Sequence, residues 1–199
     1  MSLLRPSPAD LESGNYASRE FSLQEQTLLL RLAHDSILSA LERREISFDP
    51  PSPHLAELRG AFASLYLNGE LRGCVGYLSP TRSLYKTVAE VARAAAFEDT
   101  RFYPVTIEEA RNLEIELSIM SPPQPIAPEA VEVGRHGLLV GIGGFRGLLL
   151  PQVAAEHRWD RITFLQQTCQ KAGLPPDAWQ KGANIEAFTA EVFGDKKHT

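Results

Sequence analysis

The sequence predicts an α+β fold in which an antiparallel or mixed sheet is flanked by helices. Two short apolar runs, 61–67 and 71–77, are separated by Asn68-Gly69, and this dipeptide is the strongest short signal for a β-hairpin. Segment 112–120 alternates apolar and polar residues, which is typical of an antiparallel strand with one solvated face. Helices and hairpins alternate along the chain without a repeating βαβ unit, and that order favours the α+β class.

Three helices are predicted from apolar stripes and from the residues that cap their first turns. Ser22–Glu25 is a capping box at the start of the first helix, which should end near Arg44. Ser83 precedes an alanine-rich second helix, and Asp160 precedes a third. A second capping box, Thr106–Glu109, begins a short helical turn.

The remaining strands are predicted in the C-terminal half of the chain. Segment 121–128 contains four prolines and should be an irregular crossover. Beyond it, strands are expected at 131–133, 138–142 and 145–150, with Gly143-Gly144 joining the last two. A final strand is predicted at 184–193.

Length and composition limit the functions to be considered. The 199 residues suffice for one domain, or for one domain with a small lobe. The net charge of −5 argues against a sequence-independent grip on nucleic acid, so nucleic acid is not an expected partner. The N-terminus has no long apolar run, so we expect neither a signal peptide nor a membrane-spanning helix.

The cysteines and histidines do not form a metal motif. Cys74 and Cys169 are far apart and lack CxxC spacing, which predicts neither a disulfide framework nor a zinc site. This usage fits a reducing cytosol, and we expect a cytoplasmic protein. None of the five histidines has a partner at metal-ligand spacing, so no metal and no other cofactor is expected.

The two-residue turn of the hairpin determines which residues face each other across its strands. The predicted cross-strand pairs are Leu67 with Glu70, Leu65 with Arg72, and Ala63 with Cys74. Arg72, Cys74 and Gly76 then share an open face with small residues, whereas Phe62 and Tyr66 lie on the face predicted as core. Strand 71–77 is expected inside the sheet, with the alanine-rich helix on or beside the Phe62 and Tyr66 face.

Four ordered blocks in the sequence resemble the signature of the AMMECR family. They are Leu71–Gly76 (LRGCVG), Asp99–Phe102 (DTRF), Val133–Gly137 (VGRHG), and Leu150–Ala154 (LPQVA) followed by Trp159-Asp160. Many relatives have Ile where this chain has Val75. The resemblance implies an antiparallel sheet, a larger and a smaller lobe, and a groove at the LRGC strand. It also implies partners, because prokaryotic members are often encoded beside or fused to Memo-like and radical SAM proteins.

The resemblance covers nearly the whole chain and suggests where its domain begins and ends. We expect a flexible N-terminal arm at 1–20, an AMMECR-like domain at 21–193 and a C-terminal tail at 194–199. The arm is expected because the first twenty residues are polar and carry prolines.

Cys74 and His136 are the candidate catalytic residues. Cys74 could act as a nucleophile or redox thiol if the Arg72 cation on the same face favours a thiolate, or it could be a small buried hydrophobe. His136 is the only histidine inside a signature block, so it is the candidate base. The alternative is a structural histidine whose ring bonds a backbone carbonyl. Cys169 lies on the apolar stripe of a helix and is predicted to be core.

The candidate ligand-binding residues surround the LRGC strand. Arg72 and Arg146 could contact an anion. Asp99 and Arg101 could clamp a ligand, although an Asp that caps a loop beside an ion-paired Arg is commoner. The LRGC strand also contains two glycines, Gly73 and Gly76. They could leave room for the ligand, or they could mark a bulge or a close approach of another backbone.

Two functions remain open from the sequence. The favoured one is a non-catalytic module that binds a small molecule, peptide or partner protein in a groove. Its walls would include Arg72, Cys74, Asp99 and His136, and its ligand would be anionic or amide-bearing. The alternative is a thiol-dependent enzyme or redox partner that uses Cys74. The paired carboxylates of Glu114 and Glu116 are predicted to be an ordinary solvated strand face rather than an acid-base pair.

Overall fold

The fold consists of five α-helices and eight strands within the described part of the chain. The computed structural model describes residues 20–47, 49–78 and 82–195. The helices are α1 Leu23–Leu41, α2 Leu84–Phe97, α3 Ile107–Ala110, α4 Pro151–Glu156 and α5 Arg161–Lys171. The strands are β1 Ala61–Leu67, β2 Glu70–Tyr77, β3 Glu114–Met120, β4 Gln124–Pro125, β5 Gly137–Ile142, β6 Phe145–Leu149, β7 Asn184–Phe188 and β8 Ala190–Gly194.

These strands form two antiparallel sheets, and the predicted α+β class is confirmed. The first sheet has the order β2-β1-β3-β8 and the second β4-β7-β5-β6. Of the predicted N-terminal arm, residues 1–19 lie outside the described part, as do residues 196–199 of the predicted tail. None of the described helices is long and apolar enough to span a bilayer.

The helix starts follow the capping signals in the sequence. In α1, the Ser22 hydroxyl accepts the Glu25 N–H at 3.3 Å, and the Glu25 carboxylate accepts the Ser22 N–H at 3.0 Å. The second predicted capping box, Thr106 with Glu109, begins α3 in the same way. Because Arg43 takes a left-handed backbone conformation with φ 53°, α1 ends at Leu41, earlier than predicted.

The larger apolar core lies between the first sheet and helices α1 and α2. The sheet contributes alternate residues of two neighbouring strands, and all of them are buried: Ala61, Ala63 and Leu65 from β1, and Ile115, Leu117 and Ile119 from β3. The alanines of α2 keep that helix thin, so it approaches the sheet closely. A Cβ added to Gly73 would lie 2.1 Å from the carbonyl oxygen of Ala95 in α2.

The position of the LRGC strand differs from the prediction in two ways. It forms the hairpin with β1 as expected, but β2 is the edge strand of the sheet rather than an interior one. In addition, α2 packs on the face that carries Ala63, Leu65 and Gly73, not on the Phe62 and Tyr66 face. The small side chains were predicted to line an open face, and they are instead what lets the helix approach.

A β-bulge at Arg72 also changes which residues of β2 lie on each face. Leu67 faces Glu70 as predicted, but Leu65 faces Gly73 and Ser64 faces Cys74, because the register shifts between Leu65 and Tyr66. Arg72 is the extra residue of the bulge. Since side chains alternate along a strand, one extra residue moves every later side chain of β2 to the opposite face.

The second sheet has its own apolar core. α5 packs on β5 and β6, and Cys169 is fully buried there with Phe164 and Leu165. The predicted last strand is divided into β7 and β8, which belong to different sheets and meet at Thr189. Segment 131–133 is not a strand as predicted, since Glu132 begins a tight turn in which its carbonyl accepts the Arg135 and His136 N–H groups.

The close approach of α2 to β2 predicts the effect of a single methyl group. Gly73→Ala should lower the free energy of unfolding by about 1–3 kcal/mol. The new Cβ would clash with the carbonyl oxygen of Ala95, and neither atom can move away without a shift of the backbone. Gly144→Ala is the matched control, since a Cβ there meets nothing within 4 Å. Urea unfolding of both variants measures the difference, and equal stabilities would contradict this packing.

The burial of the two cysteines predicts unequal responses to serine. Cys169 is 0% exposed in the second core, whereas Cys74 is only partly buried. Cys169→Ser should cost about 1–3 kcal/mol because it places a hydroxyl in an apolar core, and Cys74→Ser should cost less. Urea midpoints of the two variants test this; a larger loss at Cys74 would show that its sulfur is the structural one.

Candidate functional site

The backbone of Cys74 is held by two side chains from the loop after α2. Because β2 is an edge strand, the outward N–H and C=O of Cys74 have no neighbouring strand to pair with. The Cys74 N–H donates to Asp99 Oδ2 at 2.9 Å, and Arg101 Nη2 donates to the Cys74 carbonyl at 3.3 Å. Asp99 and Arg101 thus take the place of a strand neighbour at this position, and we call them the edge clasp.

The two residues of the edge clasp are also bound to each other. Arg101 donates from Nη2 and Nε to the two Asp99 oxygens at 2.7 and 2.9 Å. These bonds, and next the Cys74 N–H, hold the pKa of Asp99 well below its ordinary value, and Asp99 in turn raises the pKa of Arg101. The Asp99 side chain is only 6% exposed, whereas that of Arg101 is exposed, so the pair is shielded from solvent at its carboxylate end.

Arg72 fastens the same edge at a second point. Its Nε and Nη2 each donate to one oxygen of Glu109 at 3.0 Å, a bidentate pair. Its Nη1 and Nη2 also donate to the carbonyls of Tyr103 and Pro104 at 2.8 and 3.4 Å. The hydrogen bond from Arg72 is the main cause of the lowered pKa of Glu109. The guanidinium predicted to meet a ligand is therefore engaged within the protein.

The Cys74 side chain lies on the sheet face opposite α1 and α2. Since its N–H and C=O point outward, Cys74 and Ser64 form a narrow pair without backbone bonds between them, which brings their side chains close. The Ser64 hydroxyl donates to the Cys74 sulfur at 3.3 Å. Ser64 also faces Glu116 on β3, so sulfur, hydroxyl and carboxylate form one row across three strands.

We call this surface the Cys74 face. Its members are partly buried and come from three adjacent strands: Phe62, Ser64, Tyr66, Cys74, Gly76, Glu114, Glu116 and Ser118. Burial, and then the charges of Glu116 and Cys74, raise the pKa of Tyr66, which is also hydrogen-bonded to Ser64. The phenol therefore stays protonated at neutral pH and presents an oxygen beside the row.

Gly76 has a definite role on this face. A Cβ at that position would lie 2.2 Å from the ring of Phe62, which faces it on β1. The glycine thus makes room for an aromatic ring of the protein itself. Gly73, on the other face, makes room for α2.

Arg146 lies in the second sheet, and His136 immediately precedes strand β5 of that sheet. The His136 Nδ1 accepts the Glu132 N–H at 3.1 Å, and burial, followed by the charge of Arg135, lowers the pKa of the ring. The ring is thus held by a backbone amide rather than by the carbonyl considered from the sequence. Arg146, on β6, lines a small cavity with Asn184 and Glu186.

The structure therefore divides the predicted site residues into two groups. Arg72, Gly73, Cys74, Gly76, Asp99 and Arg101 all belong to the LRGC strand or to the loop along its edge. Arg146 belongs to the second sheet, and His136 immediately precedes its strand β5. The sequence reasoning missed Ser64 and Tyr66, which a register containing a bulge at Arg72 would have placed on the same face as Cys74, and it treated Glu116 only as part of a solvated strand face. Among the described residues, no group of three or more His, Cys, Asp or Glu could hold a metal ion.

The lowered pKa of Asp99 predicts how stability depends on pH. A carboxyl with a depressed folded-state pKa stabilises the fold above its unfolded pKa, about 3.9, and loses that contribution as the pH falls through the folded value. Wild type should thus be more stable than Asp99→Asn at neutral pH, and the difference should shrink on acidification below about pH 4. Urea unfolding of both proteins from neutral to acid pH measures it. A difference that stays constant would contradict the ionised clasp.

Comparison with known proteins identifies the family. The AMMECR1 family model matches residues 30–193. A protein of Methanopyrus kandleri is 40% identical over 190 residues, covering 89% of this chain and 92% of that protein, and one of Methanocaldococcus jannaschii is 40% identical over 185, covering 88% and 92%.

A solved structure agrees with this assignment. The crystal structure of an uncharacterised protein from Pyrococcus horikoshii is similar, with a TM-score of 0.69 and 40% sequence identity. The match covers 85% of this chain and 90% of that one. The resemblance seen in the four sequence blocks is thus confirmed at the level of the family. The chain belongs to the AMMECR1 family.

Proposed function

We propose that this chain is a binding module and that its partner or ligand docks on the Cys74 face. The observation that carries the proposal is the row of Cys74, Ser64 and Glu116 on a half-buried sheet face opposite both helices of the larger core. Polar groups in such a row stay partly solvated in the free protein. A ligand that bonded to them would complete their hydrogen bonding.

The chemistry of the face indicates which ligands it suits. Glu114 and Glu116 offer carboxylate oxygens, and Tyr66 and Ser64 add hydroxyl oxygens. The two guanidiniums at the adjoining sheet edge, those of Arg72 and Arg101, are paired with Glu109 and Asp99. The face is therefore rich in acceptors, and it suits a partner that offers amide N–H groups, lysine or arginine. Of the anionic or amide-bearing ligand expected from the sequence, only the amide fits this chemistry.

Two aromatic side chains strengthen this preference. Phe62 and Tyr66 lie on the same face as the carboxylates, on either side of Ser64 along β1. An aromatic ring attracts a cation over its face, and the attraction grows when the cation loses water on binding. A basic side chain lying between the rings and Glu116 would gain both interactions.

The partners that we propose are the Memo-like and radical SAM proteins. The support is the resemblance of the four sequence blocks to a family whose prokaryotic members are often encoded with them. A docking segment with lysine or arginine on either protein would match the charge of the Cys74 face. We place this interaction in the cytosol, because the two free cysteines fit a reducing compartment.

A second candidate function uses the Cys74 sulfur chemically, as a thiol-dependent enzyme or redox partner of the same two proteins. It is favoured by the partial exposure of Cys74 and by the Ser64 hydroxyl 3.3 Å from the sulfur. Against it, Arg72 and Arg101 are each paired with a carboxylate, which offsets the positive charge that would favour a thiolate. We therefore rank it below binding.

The binding proposal predicts an effect of one carboxylate. Glu116→Gln should weaken binding of the purified Memo-like or radical SAM protein roughly five-fold, since it removes one partly exposed charge pair. Raising the salt concentration should weaken wild-type binding as well. Isothermal titration calorimetry measures both, with Glu132→Gln, an exposed carboxylate near the second sheet, as the matched control.

Two outcomes would contradict the proposal. One is an equal loss of affinity in Glu116→Gln and Glu132→Gln. The other is binding that perturbs the amide NMR signals of the second sheet and leaves those of the Cys74 face unchanged. A stable adduct on Cys74, found by intact-mass spectrometry of the purified protein and absent from Cys74→Ala, would favour the thiol function instead.

A further inference from the structure

A separate cavity lies where the two sheets meet. It is open to solvent on one side, and its volume is about 170 Å³. It is lined by residues from three segments of the chain: Ser121, Pro122, Gln124, Pro125, Ile126, His136, Ala187, Phe188 and Thr189. A water molecule occupies about 30 Å³ of liquid, so this cavity is large for one water and small for a nucleotide. Its size corresponds to a single ring with one substituent.

The floor of the cavity is apolar and closely fitted. Phe188 is 1% exposed and belongs to neither apolar core. Its ring occupies the place next to Gly137, where an added Cβ would lie 2.3 Å from it. Pro122, Pro125 and Ile126 form the surrounding apolar surface. This lining offers flat contacts to a planar ring.

His136 gives the cavity one well-defined donor. Its Nδ1 accepts the Glu132 N–H, so the proton of the neutral ring is on Nε2. Within the described residues, no hydrogen bond engages Nε2. The Ser121 hydroxyl oxygen already accepts the Thr189 N–H at 2.9 Å, which leaves its O–H available as a second donor.

The lining also favours neutral ligands over charged ones. Among the described residues that line the cavity, His136 is the only one that titrates, and none is Asp, Glu, Lys or Arg. A carboxylate or an ammonium bound there would give up the hydration of its buried side without gaining an opposite charge. A neutral carbonyl oxygen loses much less and can accept from His136 or Ser121.

We propose that the junction cavity is a second binding site, for a small neutral planar ring that bears a carbonyl or carboxamide group. The ring packs on Phe188 and the prolines, and the carbonyl oxygen accepts from His136 Nε2–H. The site is independent of the Cys74 face, since its lining comes from the junction of the sheets and from β7. It is also an inference distinct from the proposed function.

Benzamide is the direct probe, with toluene as the same ring without an acceptor. Titration of the ¹⁵N-labelled protein should shift the amide signals of His136, Phe188 and Thr189, with a dissociation constant on the order of 1 mM for a ligand of this size. Toluene should bind about ten-fold more weakly, because it lacks the hydrogen bond. Shifts confined to the Cys74 face, equal binding of the two probes, or no shifts at all would overturn the proposal.

Two substitutions of His136 test its N–H donor and its ring shape separately. His136→Gln keeps an N–H donor and should retain much of the preference for benzamide over toluene, whereas His136→Phe keeps a ring and should abolish it. His157→Phe is the matched control, since His157 is an exposed histidine stacked on Trp159. Thermal unfolding shows which variants are folded. If His136→Phe is folded and prefers benzamide as wild type does, the assigned role of His136 is wrong.

Discussion

The arrangement around the LRGC strand depends on how its exposed edge is closed. An edge strand presents unpaired N–H and C=O groups, which invite pairing with another chain unless something covers them. Here the Asp99 carboxylate takes the Cys74 N–H and Arg101 takes the Cys74 carbonyl. Arg72, set outward by the bulge, fixes the following loop through Tyr103 and Glu109. Two of the four sequence blocks, Leu71–Gly76 and Asp99–Phe102, are thus joined by direct hydrogen bonds.

This closure determines what the rest of the site can do. The groups of Cys74 that could pair with another strand are occupied, so the edge of β2 is not available at that residue for strand addition. The guanidiniums are paired with carboxylates, so they add little net positive charge beside the sulfur. What remains open to a partner is the face of the sheet, where Ser64, Tyr66 and Glu116 join Cys74. The polar row follows from the narrow geometry of the Cys74 and Ser64 pair.

Much of the fold could be predicted from local sequence signals. The capping boxes, the Asn68-Gly69 hairpin and the alternation of β3 each depend on neighbouring residues, and each is confirmed. The candidate site depends on the register between β1 and β2, and the predicted register is wrong beyond the bulge at Arg72. A two-residue turn sets the pairing only as far as the first bulge, and whether Gly73 marks a bulge or a close approach depends on α2. Gly73 accommodates the close approach, and the bulge is at Arg72 beside it.

The second sheet illustrates the same limit. Segment 184–193 has the pattern of one strand, and the backbone is indeed extended, but its two halves pair with different neighbours. No local signal separates them, because the division at Thr189 is made by Ser121 on another segment. The junction cavity forms at that division.

The most direct measurement of the central claim is hydrogen exchange at the Cys74 amide. The edge clasp requires this amide to be protected in the native protein, although it faces away from β1. In Asp99→Ala its protection should be lost, while the amide of Val75, which faces β1, stays protected. A Cys74 amide that exchanges in the native protein as fast as a solvated loop amide would contradict the clasp and the closed edge that follows from it.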